Sequence, residues 1–143
     1  MPYSSTDQTA QPVLGGSVSS GGGVSGPRLS PVTAKTAAYT CKLSEWGTIF
    51  TNRGATASVT FTLPAVASAV AGMWYEFFAV SNYGLVIASN GSSDNIVCRN
   101  DAGADSVTSS TTSLMIGFSA RVTWDGTGWL CQILSDGNTL AVA

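Results

Sequence analysis

The sequence predicts an all-β protein, and three observations support this class. From residue 39 onwards, short segments alternate apolar and polar residues, as half-buried strands do. Turn-forming residues, chiefly Gly, Asn, Asp and Pro, separate these segments. No segment carries a convincing helical period of apolar residues. We therefore expect a small antiparallel β-sandwich, jelly-roll-like domain or barrel with an extended N-terminal arm.

Three segments carry the clearest strand patterns. The run VTFTL at residues 59–63 alternates apolar residues with threonine and ends before a proline, which stops a strand. The run MWYEFFAV at residues 73–80 is rich in aromatic residues, and neither of its faces is cleanly polar, so we expect both faces to be covered. Residues 120–134 predict a β-hairpin around DGTG, with Trp124 and Trp129 paired across it. We expect seven or eight short strands in all, with a polar loop over residues 100–112.

The first 37 residues differ in composition from the rest of the chain. They are rich in Ser, Gly, Thr and Pro, and their glycine runs raise the entropic cost of ordering them. We divide the chain into an arm, residues 1–37, and a β domain, residues 38–143. The arm is either a disordered linker or a segment that becomes ordered on a partner. In the second case its anchors are the spaced apolar residues Tyr3, Val13, Leu14, Val18, Val24, Leu29 and Val32.

Composition narrows the classes of partner. Only 10% of the residues are charged and the net charge is −2, a surface that suits a protein held in an assembly. The six basic residues are scattered, so we expect no direct nucleic-acid binding. No apolar run reaches the roughly 18 residues of a membrane helix, and the first 20 residues do not resemble a secretory signal. We expect synthesis in a cytoplasm and no membrane contact.

The chain contains no histidine, which removes the common Ser-His-Asp and Cys-His mechanisms. A hydrolase that uses carboxylates alone remains an alternative, because glycoside hydrolysis needs only two carboxyl groups about 5 to 9.5 Å apart. Glu76, in the aromatic strand, is the acid most expected to be partly buried, and such an acid is more often paired with an arginine or a backbone N–H. We predict that the protein is not an enzyme and holds no cofactor. The acids that the alternative could use are Glu45, Glu76, Asp94, Asp101, Asp105, Asp125 and Asp136.

The remaining chemistry-bearing residues favour structural roles. Cys41, Cys98 and Cys131 lack the close spacing of zinc sites, so we expect three reduced, buried thiols, although a Cys41–Cys131 disulfide is conceivable. Residues 94–105 are dense in oxygen ligands, but their spacing is not that of an EF-hand, which favours a solvated loop over a calcium site. Four tryptophans could line a sugar or partner site, and we favour packing for all of them. They are Trp46, Trp74, Trp124 and Trp129.

Several segments resemble small β modules of tailed-bacteriophage virions. The segments are FTNRGATASVTFTLP (50–64), MWYEFFAV (73–80), GLVIASNGSSDNI (84–96) and RVTWDGTGWLCQIL (121–134). Such modules occur on capsid decoration, or cement, proteins, on head fibres and on tail-fibre segments. The match covers most of residues 39–134 and implies a virion protein, usually a homotrimer.

The arm favours one member of this group. Decoration proteins commonly join a compact knob to an extended terminal arm that lies on the capsid lattice, and this chain is similar to that plan. It has no internal repeat, which a full tail fibre would show. The resemblance therefore implies a decoration protein on the capsid surface that binds the outside of the major capsid protein lattice and stabilises the head. The alternative is a head-fibre or tail-fibre module that binds a host receptor or glycan.

Overall fold

The computed structural model describes residues 28–109, 115–135 and 140–142. These residues form twelve strands and two single turns of 3-10 helix, η1 (Leu43–Glu45) and η2 (Val66–Ser68). The strands are β1 (Val32–Ala34), β2 (Tyr39–Thr40), β3 (Ile49–Thr51), β4 (Val59–Thr62), β5 (Trp74–Phe78), β6 (Leu85–Ala88), β7 (Ile96–Cys98), β8 (Asp101–Ala104), β9 (Ser106–Ser109), β10 (Ser119–Trp124), β11 (Trp129–Ser135) and β12 (Leu140–Val142).

The strands form two sheets, which confirms the predicted all-β class. The seven-stranded sheet has the order β1-β3-β5-β10-β11-β7-β8, and the five-stranded sheet has the order β12-β9-β6-β4-β2. From β1 to β6 the chain alternates between the sheets, so neighbours within a sheet are strands two apart in sequence and run parallel. The sheets are therefore mixed, whereas the sequence predicts an antiparallel arrangement. Five of the described pairings are parallel and five are antiparallel.

Aromatic side chains fill the space between the sheets. Phe50 of the seven-stranded sheet lies 5.5 Å from Phe61 of the other, centroid to centroid, and Phe61 lies 5.2 Å from Phe77. The strand predicted at residues 73–80 is confirmed as β5, in which Tyr75 and Phe77 are fully buried. Trp74, Glu76 and Phe78 point away from the core. Burial of these rings is the main source of stability for a domain with so few charged residues.

The predicted hairpin joins β10 to β11. Trp124 pairs with Trp129 in register, and their rings lie 5.4 Å apart in a tilted arrangement. Asp125 Oδ1 accepts hydrogen bonds from the backbone N–H groups of Thr127 (2.7 Å) and Gly128 (2.8 Å). These hydrogen bonds, that of Gly128 foremost, hold the pKa of Asp125 below its ordinary value.

Two segments that the sequence assigns to irregular structure form strands. Residues 100–112, predicted as a polar loop, contain β8 and β9, in which Ala104, Val107 and Ser109 are buried. Ser109 fits inside because its hydroxyl oxygen accepts a hydrogen bond from the N–H of Leu85 (2.9 Å). Within the predicted arm, Val32–Ala34 forms β1 at the edge of the seven-stranded sheet.

The buried side chain of Asn52 links the end of β3 to the loop after β5 by hydrogen bonds. Asn52 is fully buried, and its Oδ1 accepts hydrogen bonds from the N–H groups of Val80 (2.7 Å) and Ser81 (2.9 Å). Its Nδ2 donates to the carbonyl oxygens of Ser81 (3.2 Å) and Tyr83 (3.1 Å). Asn52 begins the turn-forming sequence Asn-Arg-Gly, and its side chain also joins two loops nearly 30 residues apart.

Candidate partner-binding surface

The outer face of the seven-stranded sheet carries several exposed apolar side chains. We define the outer face as the residues of β1, β3, β5, β10 and β11 that point away from the five-stranded sheet. Strand register aligns one row of them across the sheet: Val32 opposite Ile49, Ile49 opposite Glu76, Glu76 opposite Arg121 and Arg121 opposite Gln132. The other members of the outer face are Trp74, Phe78, Thr123, Leu130 and Leu134.

Four apolar residues of the outer face remain accessible to solvent. Val32 is 66% exposed, Leu134 55%, Phe78 41% and Leu130 39%. A sheet that faces water on one side normally carries polar residues there. These four side chains lie on β1, β5 and β11 with polar residues between them, and together they make this face a candidate surface for contact with another molecule.

Glu76 and Arg121 form an ion pair in the middle of this face. Arg121 Nε donates to Glu76 Oε2 at 3.0 Å, and an Nη atom lies 2.9 Å from the same oxygen. The guanidinium carbon of Arg121 also lies 4.3 Å from the centroid of the Trp74 ring, a cation–π contact. Because each charge is already paired, a partner could cover this part of the face without burying a lone charge.

A groove lies at one end of the outer face, where the arm enters the domain. Its volume is about 490 Å³, and its walls include Leu29, Pro31, Trp46 and Trp74. Gly47 positions the two tryptophans: it adopts φ +83°, and its N–H donates to the carbonyl oxygen of Trp74 at 2.7 Å. Arg28, Ser30 and Ser44 supply the polar part of the lining.

Trp46 separates this groove from a second, apolar hollow. The hollow has a volume of about 350 Å³ and is lined by Trp46, Val70, Ala71, Gly72 and Met73. Trp46 is 51% exposed, so the expectation that all four tryptophans pack is wrong for this one. Its exposure follows from its position at the end of η1, next to the Gly47 turn.

The other tryptophans and the predicted arm anchors divide between surface and interior. Trp124 and Trp129 are buried in the core, whereas Trp74 is half-buried on the outer face. Of the predicted anchors, Leu29 is 97% exposed beside the groove and Val32 belongs to the outer face. Tyr3, Val13, Leu14, Val18 and Val24 lie outside the described residues.

Five of the seven acids considered for catalysis or calcium bind other groups of the chain, and Asp136 lies outside the described residues. Besides Glu76, three of them accept hydrogen bonds from nearby backbone N–H groups: Asp94 (3.4 Å), Asp101 (2.8 Å) and Asp125. Glu45 accepts from the Tyr39 hydroxyl at 2.9 Å and from a backbone N–H at 2.8 Å. Within the described ranges, no three His, Cys, Asp or Glu residues are grouped so that they could hold a metal ion.

Comparisons with known proteins leave the surface as the main guide to function. No protein-family model matches the chain, and no curated protein is significantly similar to it. In the described part of the chain, no helix has the length and apolar character to cross a membrane. Fold and surface together define a small two-sheet β domain whose outer sheet face carries exposed apolar side chains around an ion pair, next to the first described residues of the chain.

Proposed function

We propose that this protein is a structural component of a tailed-bacteriophage virion, a capsid decoration protein that binds the outside of the major capsid protein lattice and stabilises the head. The observation that carries the proposal is the outer face, where Val32, Phe78, Leu130 and Leu134 expose apolar surface around a neutralised ion pair. A face of this kind suits permanent contact with other subunits and performs no chemistry of its own. The protein acts mechanically and not as an enzyme.

The position of the arm supports a docking role for both parts of the chain. β1 pairs with β3 and with no other described strand, so its second edge can accept a strand from a partner. β1 also carries Val32 on the outer face. The described end of the arm therefore lies on the same side of the domain as the outer face, and we propose that both contact one capsid surface.

We further propose that the protein acts as a homotrimer, so that three domains and three arms engage neighbouring capsid subunits at once. Each additional contact then forms at high effective concentration and strengthens the whole. The low content of charged residues, 10%, keeps repulsion between copies small. Light scattering on the purified protein tests this stoichiometry directly, and a monomer at micromolar concentration would contradict it.

Localisation in purified particles tests the main proposal. Electron microscopy should place the protein on the outside of the head, and a position on the tail would overturn the decoration role. Deleting residues 1–27 keeps every described strand, so the truncated domain should stay folded by circular dichroism while its occupancy on capsids falls. Full occupancy by the truncated domain would show that the arm is not needed.

A paired substitution tests the outer face separately. Leu130→Lys combined with Leu134→Lys should abolish most capsid binding, because both side chains are exposed and a lysine there puts charge into the interface. The matched control is Ser92→Lys, at an exposed position in the connection between β6 and β7. Equal capsid binding by the control and the double variant would exclude the outer face as the docking surface.

The groove favours a second candidate function, a fibre module that binds a host receptor or glycan. Trp46 and Trp74 present indole rings beside the hydroxyl groups of Ser30 and Ser44, and an aromatic surface with polar neighbours suits a sugar ring. A glycan array should distinguish the two functions. A specific hit that disappears in Trp46→Ala would favour the glycan module, whereas a decoration protein should give no such hit.

A further inference from the structure

Two cysteines lie directly opposite each other on neighbouring strands. β11 and β7 pair in parallel, with Trp129 opposite Ile96 and Leu130 opposite Val97, so the next position places Cys131 opposite Cys98. Cys131 lies two residues after the buried Trp129 and Cys98 two residues after the buried Ile96, so both cysteines share the inward face of the sheet. Both thiols are free, and Cys98 lies close enough to Cys131 to raise the pKa of the Cys131 thiol.

This geometry fits a disulfide bond. Neighbouring strands lie about 4.7 to 4.9 Å apart, within the roughly 4.4 to 6.8 Å that separate the Cα atoms of a disulfide. The strands therefore need little movement for the bond to form. Cys41 lies elsewhere, beside the five-stranded sheet, where its N–H donates to the carbonyl oxygen of Thr62 at 2.8 Å. The partner that the structure provides for Cys131 is Cys98, and not Cys41 as the sequence allows.

We propose that Cys98 and Cys131 are a redox pair that closes to an intramolecular disulfide in an oxidising medium. The oxidant is a low-molecular-weight disulfide such as oxidised glutathione. Cys131, the more exposed of the two, attacks one sulfur of the oxidant as a thiolate, forms a mixed disulfide and releases one small thiol. Cys98 then displaces the second small thiol. The two protons lost by the cysteines end on the two small thiols, so two protein thiols are oxidised and one small disulfide is reduced.

The reaction should be slow at neutral pH. Burial, and then the neighbouring Cys98, raise the pKa of the Cys131 thiol well above its ordinary value, so little thiolate is present. The pair therefore stays reduced during synthesis in a cytoplasm and can close later. If the protein leaves the cell on a particle, a point that rests on the proposed function, the bond would form after release and lock the finished domain.

The disulfide would also increase the stability of the folded domain. It closes the chain between residues 98 and 131, a segment that contains β8, β9 and β10. Closing a loop of this length restricts the unfolded chain, and for a domain of this size we expect the melting temperature to rise by roughly 10 °C.

Peptide mapping of the purified full chain tests the pair. After incubation with oxidised glutathione at pH 8.5, the intact mass should fall by about 2 Da through loss of two hydrogens. Trypsin cuts after Lys42, Arg99 and Arg121, so each cysteine lies on its own peptide and the linked pair can be read without reduction. Dithiothreitol should reverse both the mass change and the rise in melting temperature.

Single variants make the result decisive. Cys41→Ser should form the same bond, whereas Cys98→Ser and Cys131→Ser should not. A link through Cys41, a link between chains, or stable glutathione adducts on both cysteines without a link would each overturn the proposal. The experiment needs no capsid, so its failure would leave the decoration role untouched, and a tail position in electron microscopy would leave the disulfide untouched.

Discussion

Replacing Asn52 by alanine should cost the domain roughly 2–4 kcal/mol of unfolding free energy. The side chain is fully buried, and it makes four hydrogen bonds of 2.7 to 3.2 Å to the backbone of residues 80–83. Alanine cannot replace any of them. The loop after β5 would lose its attachment to the end of β3.

The magnitude follows from what the substitution leaves unpaired. A typical hydrogen bond contributes about 0.5–1.5 kcal/mol net, and a buried group without a partner costs more. Val80 and Ser81 are half-buried and Tyr83 is exposed, so water can reach part of the freed backbone and moderates the loss. Four bonds at the lower half of that range give the roughly 2–4 kcal/mol expected. A domain of ordinary stability, about 5–15 kcal/mol, would remain folded.

Urea denaturation followed by tryptophan fluorescence and circular dichroism measures the effect. The midpoint should fall with an unchanged slope, because the same surface is exposed on unfolding. Asn90→Ala is the matched control: Asn90 is exposed and makes one hydrogen bond of 3.3 Å to Leu63, so its loss should stay below about 1 kcal/mol. Equal losses in the two variants would refute the reasoning about burial and bond number.

Four further substitutions test other parts of the structure. Trp129→Ala should lower the free energy of unfolding by roughly 3–5 kcal/mol, because the ring is fully buried. Trp46→Ala should lower it by less than about 1 kcal/mol, because that ring is exposed. Similar losses of unfolding free energy for the two variants in urea denaturation would contradict the assignment of Trp129 to the core and Trp46 to the surface. Gly54→Ala should cost about 1–2 kcal/mol, because Gly54 has φ +85°, and an unchanged midpoint would contradict it. The pKa of Asp125 is depressed in the folded state, so its carboxylate stabilises the fold above the unfolded-state pKa, and this contribution is lost as pH falls through the folded-state pKa. Asp125→Asn should therefore melt lower than the wild type at neutral pH, and a difference that stays constant down to about pH 2 would contradict this.

Local patterns predicted the strands in which side chains alternate strongly, and missed those in which they do not. The alternation at residues 59–63, the aromatic run at residues 73–80 and the DGTG turn gave β4, β5 and the last hairpin their correct positions. β8 and β9 have the sequences DAGA and SVTS, which contain too little apolar surface to show a period. Parallel pairing could not be predicted, because the pattern within a strand carries no information about which strand lies beside it.

The candidate surface could be predicted only in part, because a local sequence pattern does not say which elements lie next to each other. The aromatic residues on both faces of β5 indicated that its second face also needs cover. Exposure of Trp46 depends on the Gly47 turn and on its distance from the core, which no local pattern encodes. The alignment of Cys131 with Cys98 depends on the register of two parallel strands, and their separation of 33 residues in the sequence gives no indication of it.

The energetics of the outer face explain why the domain and its arm should act together. A patch of about 400 Å², a usual size for an exposed apolar surface, contributes roughly 10 kcal/mol when covered. Association costs about 4–15 kcal/mol in lost freedom, so one domain that docks through this face alone would bind weakly. Arms and further copies supply the remaining affinity through effective concentration. Removing either residues 1–27 or the leucine pair at positions 130 and 134 should therefore lower capsid affinity at least a hundredfold, which titration of empty capsids measures. Losses of only a few fold in both variants would mean that another surface carries the binding.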